Sequence, residues 1–256
     1  MGDGRLTGAN VLVTGANRGI GKAFVDEAVA RGARVYATAR RPESLTEVFA
    51  GHGDQVVPLA LDLGEPATIE AVVERCSDVD LLVHNAGAPL PGRALDVPES
   101  AARELFETNF FGPLALLRGL AGPLASRRGG ALVVTSQAAL LVSRSSPIYS
   151  ASKAALTMAT LGMRAQLRDA GVQVAIVFPG MVDTEMTAAM TGPKTAPRTV
   201  AGNVFDAFAR GETAIFPDGH SQAVRALLSE RFLDALTEPQ PLAEEAIRQW
   251  TEISQG

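Results

Sequence analysis

One stretch near the start of the chain constrains the fold more than any other. Val11-Leu12-Val13, a short β-branched and apolar run, passes directly into Thr14-Gly15-Ala16-Asn17-Arg18-Gly19-Ile20-Gly21. An apolar helical period follows through Ala23, Phe24, Ala28 and Val29 and stops at Gly32. A buried strand, a glycine-rich turn and a helix in succession bring backbone N–H groups and a helix N-terminus to bear on a phosphate. Gly15 permits the tight turn, Gly19 lets a pyrophosphate approach the backbone, and Gly21 lets helix and strand pack closely.

The same alternation continues. Apolar runs at 34–38, 56–61, 80–84, 131–135, 172–178 and 213–217 read as strands. Helical patterns fill 66–76, 98–128, the stretch beyond Tyr149, 197–210 and 222–236, the last with Val224, Leu227, Leu228 and Phe232 on one face. A terminal helix from Pro239 is anchored by Trp250. Gly112 and Pro113 make a local distortion near Asn109 plausible within 98–128. Strands alternating with helices predict an α/β protein whose parallel sheet is covered on both faces. No repeat or linker divides it, so residues 1–256 read as one domain. The segment 181–199, rich in Met, Pro and Thr with little period, reads as a substrate lid, and helices close the chain over 219–252.

Candidate chemistry sits between Ser136 and Lys153. The whole chain has two tyrosines and three lysines, yet Tyr149 and Lys153 stand four apart on one helix face. A compact, titratable ammonium near a phenol favours the phenolate and lowers its pKa toward the working range of a general acid/base. Ser136, at the end of an apolar strand, can hydrogen-bond a substrate oxygen. At the end of the second strand an NAD site would carry a carboxylate for the ribose hydroxyls; here Arg40 and Arg41 follow Thr38-Ala39. Arg40 and Arg18 together suit a 2′-phosphate, which favours NADP. Asp62, with Leu63, can reach an adenine amino group, and the small residues of Asn85-Ala86-Gly87 let a nucleotide lie against a strand end.

A net charge of −5 gives no support for nucleic-acid binding. The single Cys76 excludes an intramolecular disulfide and multi-cysteine zinc sites, and His52, His84 and His220 have no ligand spacing, so no metal site is expected. Neither a signal peptide nor a run of membrane-spanning length is visible, which predicts a cytoplasmic protein with no membrane partner.

Taken together, these motifs resemble the short-chain dehydrogenase/reductase family. Thr14-Gly15-x-x-x-Gly19-x-Gly21 is similar to its cofactor turn and Asn85-Ala86-Gly87 to its fourth-strand motif. Ser136, Tyr149 thirteen positions later and Lys153 four beyond resemble its catalytic triad, with Asn109 completing a tetrad. The resemblance implies a doubly wound Rossmann fold with a parallel sheet of about seven strands flanked by helices. It implies NADP(H) held by Gly15, Asn17, Arg18, Gly19, Ile20, Gly21, Arg40, Asp62, Leu63, Asn85, Ala86, Gly87, Tyr149 and Lys153. Pro179, Gly180, Val182 and Thr184 would seat the nicotinamide carboxamide. The implied activity is hydride transfer to or from a carbonyl or secondary alcohol, with Tyr149 as proton donor, Ser136 holding the oxygen, Lys153 lowering the Tyr149 pKa, and Asn109 positioning a water that links Lys153 to solvent. A hydrophobic small molecule is the expected substrate, walled by Leu90, Leu140, Leu141, Val142, Met181, Val182, Met186 and Met190. A non-catalytic NADP sensor, or a dehydratase or epimerase of the same family, are the alternatives. Gln137-Ala138-Ala139-Leu140 lacks the glycine often found after the serine, and the end lacks the Asp-Gly-Gly of many tetrameric members. A homo-oligomer, dimer or tetramer, is expected, with the tetramer in question and a monomer open.

Overall fold

The computed structural model describes residues 6–231 and 239–255. In chain order the strands are β1 (Asn10–Val13), β2 (Arg34–Ala39), β3 (Val56–Ala60), β4 (Leu81–His84), β5 (Gly130–Val134), β6 (Gln173–Val177) and β7 (Ala214–Ile215). The helices are α1 (Gly19–Ala30), α2 (Glu43–Val48), α3 (Pro66–Arg75), α4 (Glu99–Phe106), α5 (Gly112–Arg127), α6 (Pro147–Leu167), α7 (Pro197–Ala209), α8 (Gly219–Glu230) and α9 (Pro239–Gln255). Among the described residues the strands form one parallel sheet in the order β3-β2-β1-β4-β5-β6-β7.

Strand side chains alternate between two cores. Val11, Val13, Val83 and Val134 pack on one face with Phe24 of α1 and Val204 and Phe205 of α7. Leu12, Leu82 and Val133 pack on the other with Leu116 and Leu120 of α5 and Leu156 of α6. Because both faces are covered, the strands read as continuous apolar runs. Each such residue contributes about 1.5–3 kcal/mol of burial. The chain winds from β1 out to β2 and β3, then returns to pair β4 with the free side of β1. That reversal opens a crevice at the carboxyl ends of β1 and β4, where ligands bind in open α/β sheets.

The stretch predicted as one helix over 98–128 is α4, a π-turn at Glu107–Phe111, and α5. The wider turn sends Asn109 inward, where it is fully buried. The short α2 and the 3₁₀ turn Ala50–Gln55 were not legible: only Leu45 of α2 is buried and none of the 3₁₀ turn, so no apolar period marks them. Helix α8 starts at Gly219, before the predicted 222, because Asp218 caps it. Phe232 and the predicted helix end at 236 lie outside the described residues. Leu141, Val224, Leu227 and Ala246 form a third, small core that docks α8 and α9 beside the loop after β5. Within 181–199, Val182 bridges to Thr195 and Glu185–Thr187 makes a 3₁₀ turn. Among the described residues no helix is long and apolar enough to cross a membrane, and no cluster of three His, Cys, Asp or Glu could hold a metal ion.

Candidate active site

A cleft of about 650 Å³ opens at the carboxyl ends of β1, β2 and β4. This lies within the roughly 300–1,000 Å³ of small-molecule and cofactor sites. It brings together Gly15, Asn17, Arg18, Gly19 and Ile20 of the first turn, Arg40 after β2, Asp62 and Leu63 after β3, Asn85, Ala86 and Gly87 after β4, and Thr184 of the loop after β6. Arg18 ion-pairs with Glu185 across the mouth, and both ends of the pair are exposed. Arg40 is exposed and lines the same cleft.

The turn is held from beneath. Gly15 and Gly19 adopt φ of +64° and +55°, which side-chain-bearing residues rarely do. A Cβ on Gly21 would lie 2.0 Å from the Gly15 carbonyl oxygen, so Gly21 serves the packing and does not line the cleft. Thr14 Oγ1 accepts the Asn85 N–H at 3.0 Å and the Ala86 N–H at 2.9 Å. With both lone pairs used, its proton goes to His84 Nδ1, 3.1 Å away, which leaves the His84 proton on Nε2. Burial, with the Lys153 charge adding to it, pushes His84 down to about 3, so the ring is neutral. The Asn85 amide donates to the Thr14 and Gly15 carbonyls at 3.1 and 3.3 Å, which commits it to tying the turn to β4.

Ser136 follows β5 in extended conformation and its Oγ accepts the Ala138 N–H at 3.1 Å. Tyr149 and Lys153 lie one turn apart on α6. Lys153 is 3% exposed; its Nζ donates to the Val134 carbonyl at 3.4 Å and stands 5.9 Å from the Tyr149 ring centroid. Burial pulls Lys153 down to about 8. Burial also raises the Tyr149 phenol, while the Ser136 hydroxyl works in the opposite direction. The lowering expected from Lys153 therefore does not set the direction for the phenol. Its ammonium is engaged by a carbonyl and stands off the ring, and desolvation decides the shift. The other tyrosine, Tyr36, is a core residue donating to Asp78 at 3.0 Å.

The Asn109 side chain ties the Ala88 peptide to α6. Its Oδ1 accepts the Ala88 N–H at 2.8 Å, and Nδ2 donates to the Ala88 carbonyl at 3.0 Å and to Ser152 Oγ at 3.1 Å. Pro179, Gly180 and Val182, like Ser136, Tyr149 and Lys153, do not line this cleft. The Pro179 carbonyl accepts the Gln137 N–H at 3.0 Å, Gly180 N–H donates to Asp218 Oδ2 at 2.7 Å, and Val182 is core. Of the expected substrate walls, Leu90 and Met186 line the cleft, whereas Leu141, Met181 and Val182 are buried, Leu141 among the C-terminal helices. Cys76 is buried, and burial pushes its thiol up to about 12, leaving it inert.

Sequence reasoning missed what Thr14, Ser152, Asp218 and His220 bond to. Only Asp218 left a local signal: an Asp followed three residues on by Ser at a helix start is a legible cap.

A family model described as short chain dehydrogenase matches residues 9–194. A 3-oxoacyl-[acyl-carrier-protein] reductase of Vibrio cholerae is 33% identical over 190 residues, covering 72% of this chain and 78% of that protein. A 1-deoxy-11-beta-hydroxypentalenate dehydrogenase of Streptomyces avermitilis is 33% identical over 239 residues, covering 89% and 84%. The crystal structure of a short chain dehydrogenase from Burkholderia cenocepacia in complex with NADP superposes with a TM-score of 0.85 at 34% identity, covering 90% of this chain and 98% of that one. The seven-stranded parallel sheet, the crevice at its reversal and the matched 9–194 together make this chain a member of the short-chain dehydrogenase family, an oxidoreductase acting on CH–OH and carbonyl groups.

Proposed function

We propose that this enzyme is an NADPH-dependent ketoreductase that interconverts a carbonyl and a secondary alcohol on a hydrophobic small molecule. The observation that carries the reading is a buried Lys153 one turn from Tyr149, with the Ser136 hydroxyl acting on the phenol. The cleft fits a dinucleotide: Gly15 and Gly19 have the open backbone a phosphate needs, and a Cβ on Gly19 would come 3.2 Å from Thr184 Cγ2. When bound, the nicotinamide supplies or takes the hydride. Lys153 would hold the nicotinamide ribose, with Pro179, Gly180 and Thr184 beside the carboxamide.

In reduction Tyr149 gives its proton to the carbonyl oxygen, which Ser136 holds by a hydrogen bond. A phenol raised by burial is protonated at neutral pH, which suits the reducing direction. Asn109 acts as a positioning residue, fixing the Ala88 peptide and, through Ser152, α6. Arg18 and Arg40, both lining the cleft, support NADP over NAD. The Glu185 carboxylate that Arg18 holds is exposed, so a 2′-phosphate displaces it at little cost. That NADP is bound in the similar Burkholderia structure agrees with this reading.

The test follows NADPH and NADH oxidation with aryl, aliphatic and polycyclic ketones. Turnover with NADPH and little with NADH is expected, and Tyr149→Phe should bind NADPH while losing about a thousandfold or more in turnover. NADPH binding with no turnover on any ketone would favour the sensor; wild-type-like turnover in Tyr149→Phe would overturn the assignment.

A further inference from the structure

The first turn of α8 grips two loops of the site at once. Asp218 is 3% exposed. Its Oδ1 accepts the Ser221 N–H at 2.9 Å, which caps α8. Its Oδ2 accepts the Gly180 N–H at 2.7 Å, thirty-eight residues away in sequence. A Cβ on Gly180 would lie 2.5 Å from Asp218 Oδ1, so turn and carboxylate are in close contact. Two residues on, His220 is also 3% exposed and places Nδ1 3.1 Å from Gln137 Nε2. Gln137 directly follows Ser136, and its N–H donates to the Pro179 carbonyl at 3.0 Å. One helix end thus holds the turn after β6 and the Ser136 loop after β5 to each other. Capping α8 does not require this. Ser, Thr or Asn would cap as well, without the cost of burying a carboxylate. The bond to Gly180 is what a cap alone leaves unexplained.

We propose that Asp218 is a positioning residue for the reaction: its carboxylate fixes the Pro179–Gly180 turn in register with the Ser136 loop, and so sets the nicotinamide face against the substrate carbonyl. The inference rests on the proposed reading of Pro179 and Gly180 as the nicotinamide seat. It is distinct from capping because it acts at the reacting end of the site only.

Two variants separate the roles. Asp218→Ser keeps a capping oxygen but cannot also reach Gly180. Ser221→Ala weakens the same cap from its other side and leaves the Gly180 bond in place. The expected result is a kcat about ten- to a hundredfold lower in Asp218→Ser, the scale of a misplacement near 1 Å. Its affinity for 2′,5′-ADP, which probes only the adenosine end, should match wild type. Ser221→Ala should keep wild-type kcat at a similar melting temperature. Should Asp218→Ser not fold, Asp218→Asn takes its place, since its amide NH2 would face one of the two N–H donors that the carboxylate oxygens now accept. Wild-type kcat in the Asp218 variant, or an equal kcat loss in Ser221→Ala, would overturn the inference. NADPH binding by wild type, read from nicotinamide fluorescence, tests the underlying reading separately: no binding removes both, whereas binding with no variant effect removes this one alone.

Discussion

Lys153 is buried at the expense of stability. Its pKa falls from the usual 10.5 to about 8 because burial disfavours the ammonium. At about 1.4 kcal/mol per tenfold change, carrying that charge at neutral pH costs the fold on the order of 3 kcal/mol. The sign follows from proton counts. Between about 8 and 10.5 the unfolded chain keeps the proton that the native chain has lost, so native stability rises with pH across that window. Lys153→Met should therefore be more stable than wild type at pH 7 by up to about 3 kcal/mol, with the gain shrinking above pH 8. Urea unfolding of the ligand-free proteins at pH 7 and pH 9.5 checks this; a variant less stable at pH 7 would show that the bond to Val134 outweighs the desolvation. The same titration bears on activity. Reduction with the free enzyme should be level in kcat/KM below pH 8 and decline above it as Lys153 loses its charge.

At the scale of elements, the π-turn between α4 and α5 is the joint that sets the site. An ordinary α-helix through 107–111 would turn Asn109 away from the Ala88 peptide. The π-turn instead aims it inward, onto Ala88 and the Ser152 hydroxyl of α6. Through this joint the loop after β4, which carries Gly87, is fixed against Lys153: a Cβ on Gly87 would lie 2.9 Å from Lys153 Nζ. Asn109→Ala removes three hydrogen bonds and leaves the Ala88 N–H and carbonyl without that partner. The expected cost is about 2–4 kcal/mol by urea unfolding, with faster exchange of the Ala88 amide proton. A cost below about 1 kcal/mol would mean that the turn relaxes to a regular helix and the peptide finds other partners.

Over the whole molecule, what was legible in the sequence is what has a local cause. Val11 to Val13 and Ala131 to Val134 are apolar throughout because both sheet faces are covered, and Tyr149 and Lys153 share a helix face because they stand four apart. What was hidden is carried by hydrogen bonds between distant segments, which leave no period: Asp218 to Gly180, Gln137 to His220, Thr14 to His84. The docking of α9 belongs to this second kind. Trp250 was legible as an anchor, but not what it holds. Its Nε1 donates to the Pro193 carbonyl in the loop between β6 and α7, and its ring lies over Gly219 at the start of α8. A Cβ on Gly219 would fall 1.7 Å from Trp250 Cζ3, so Gly219→Ala must push the ring out. Trp250 is the chain's one tryptophan, and its emission reports that displacement directly. Gly219→Ala should shift the emission to the red. Both Gly219→Ala and Trp250→Ala should speed amide hydrogen exchange over 184–195, which loses its tie at Pro193, while exchange in β1 and β4 at the middle of the sheet stays slow. Unchanged emission in Gly219→Ala would mean that α9 shifts as a body and carries Pro193 with it. Raised exchange in Trp250→Ala alone would then assign the tether to the indole and not to the seat beneath it.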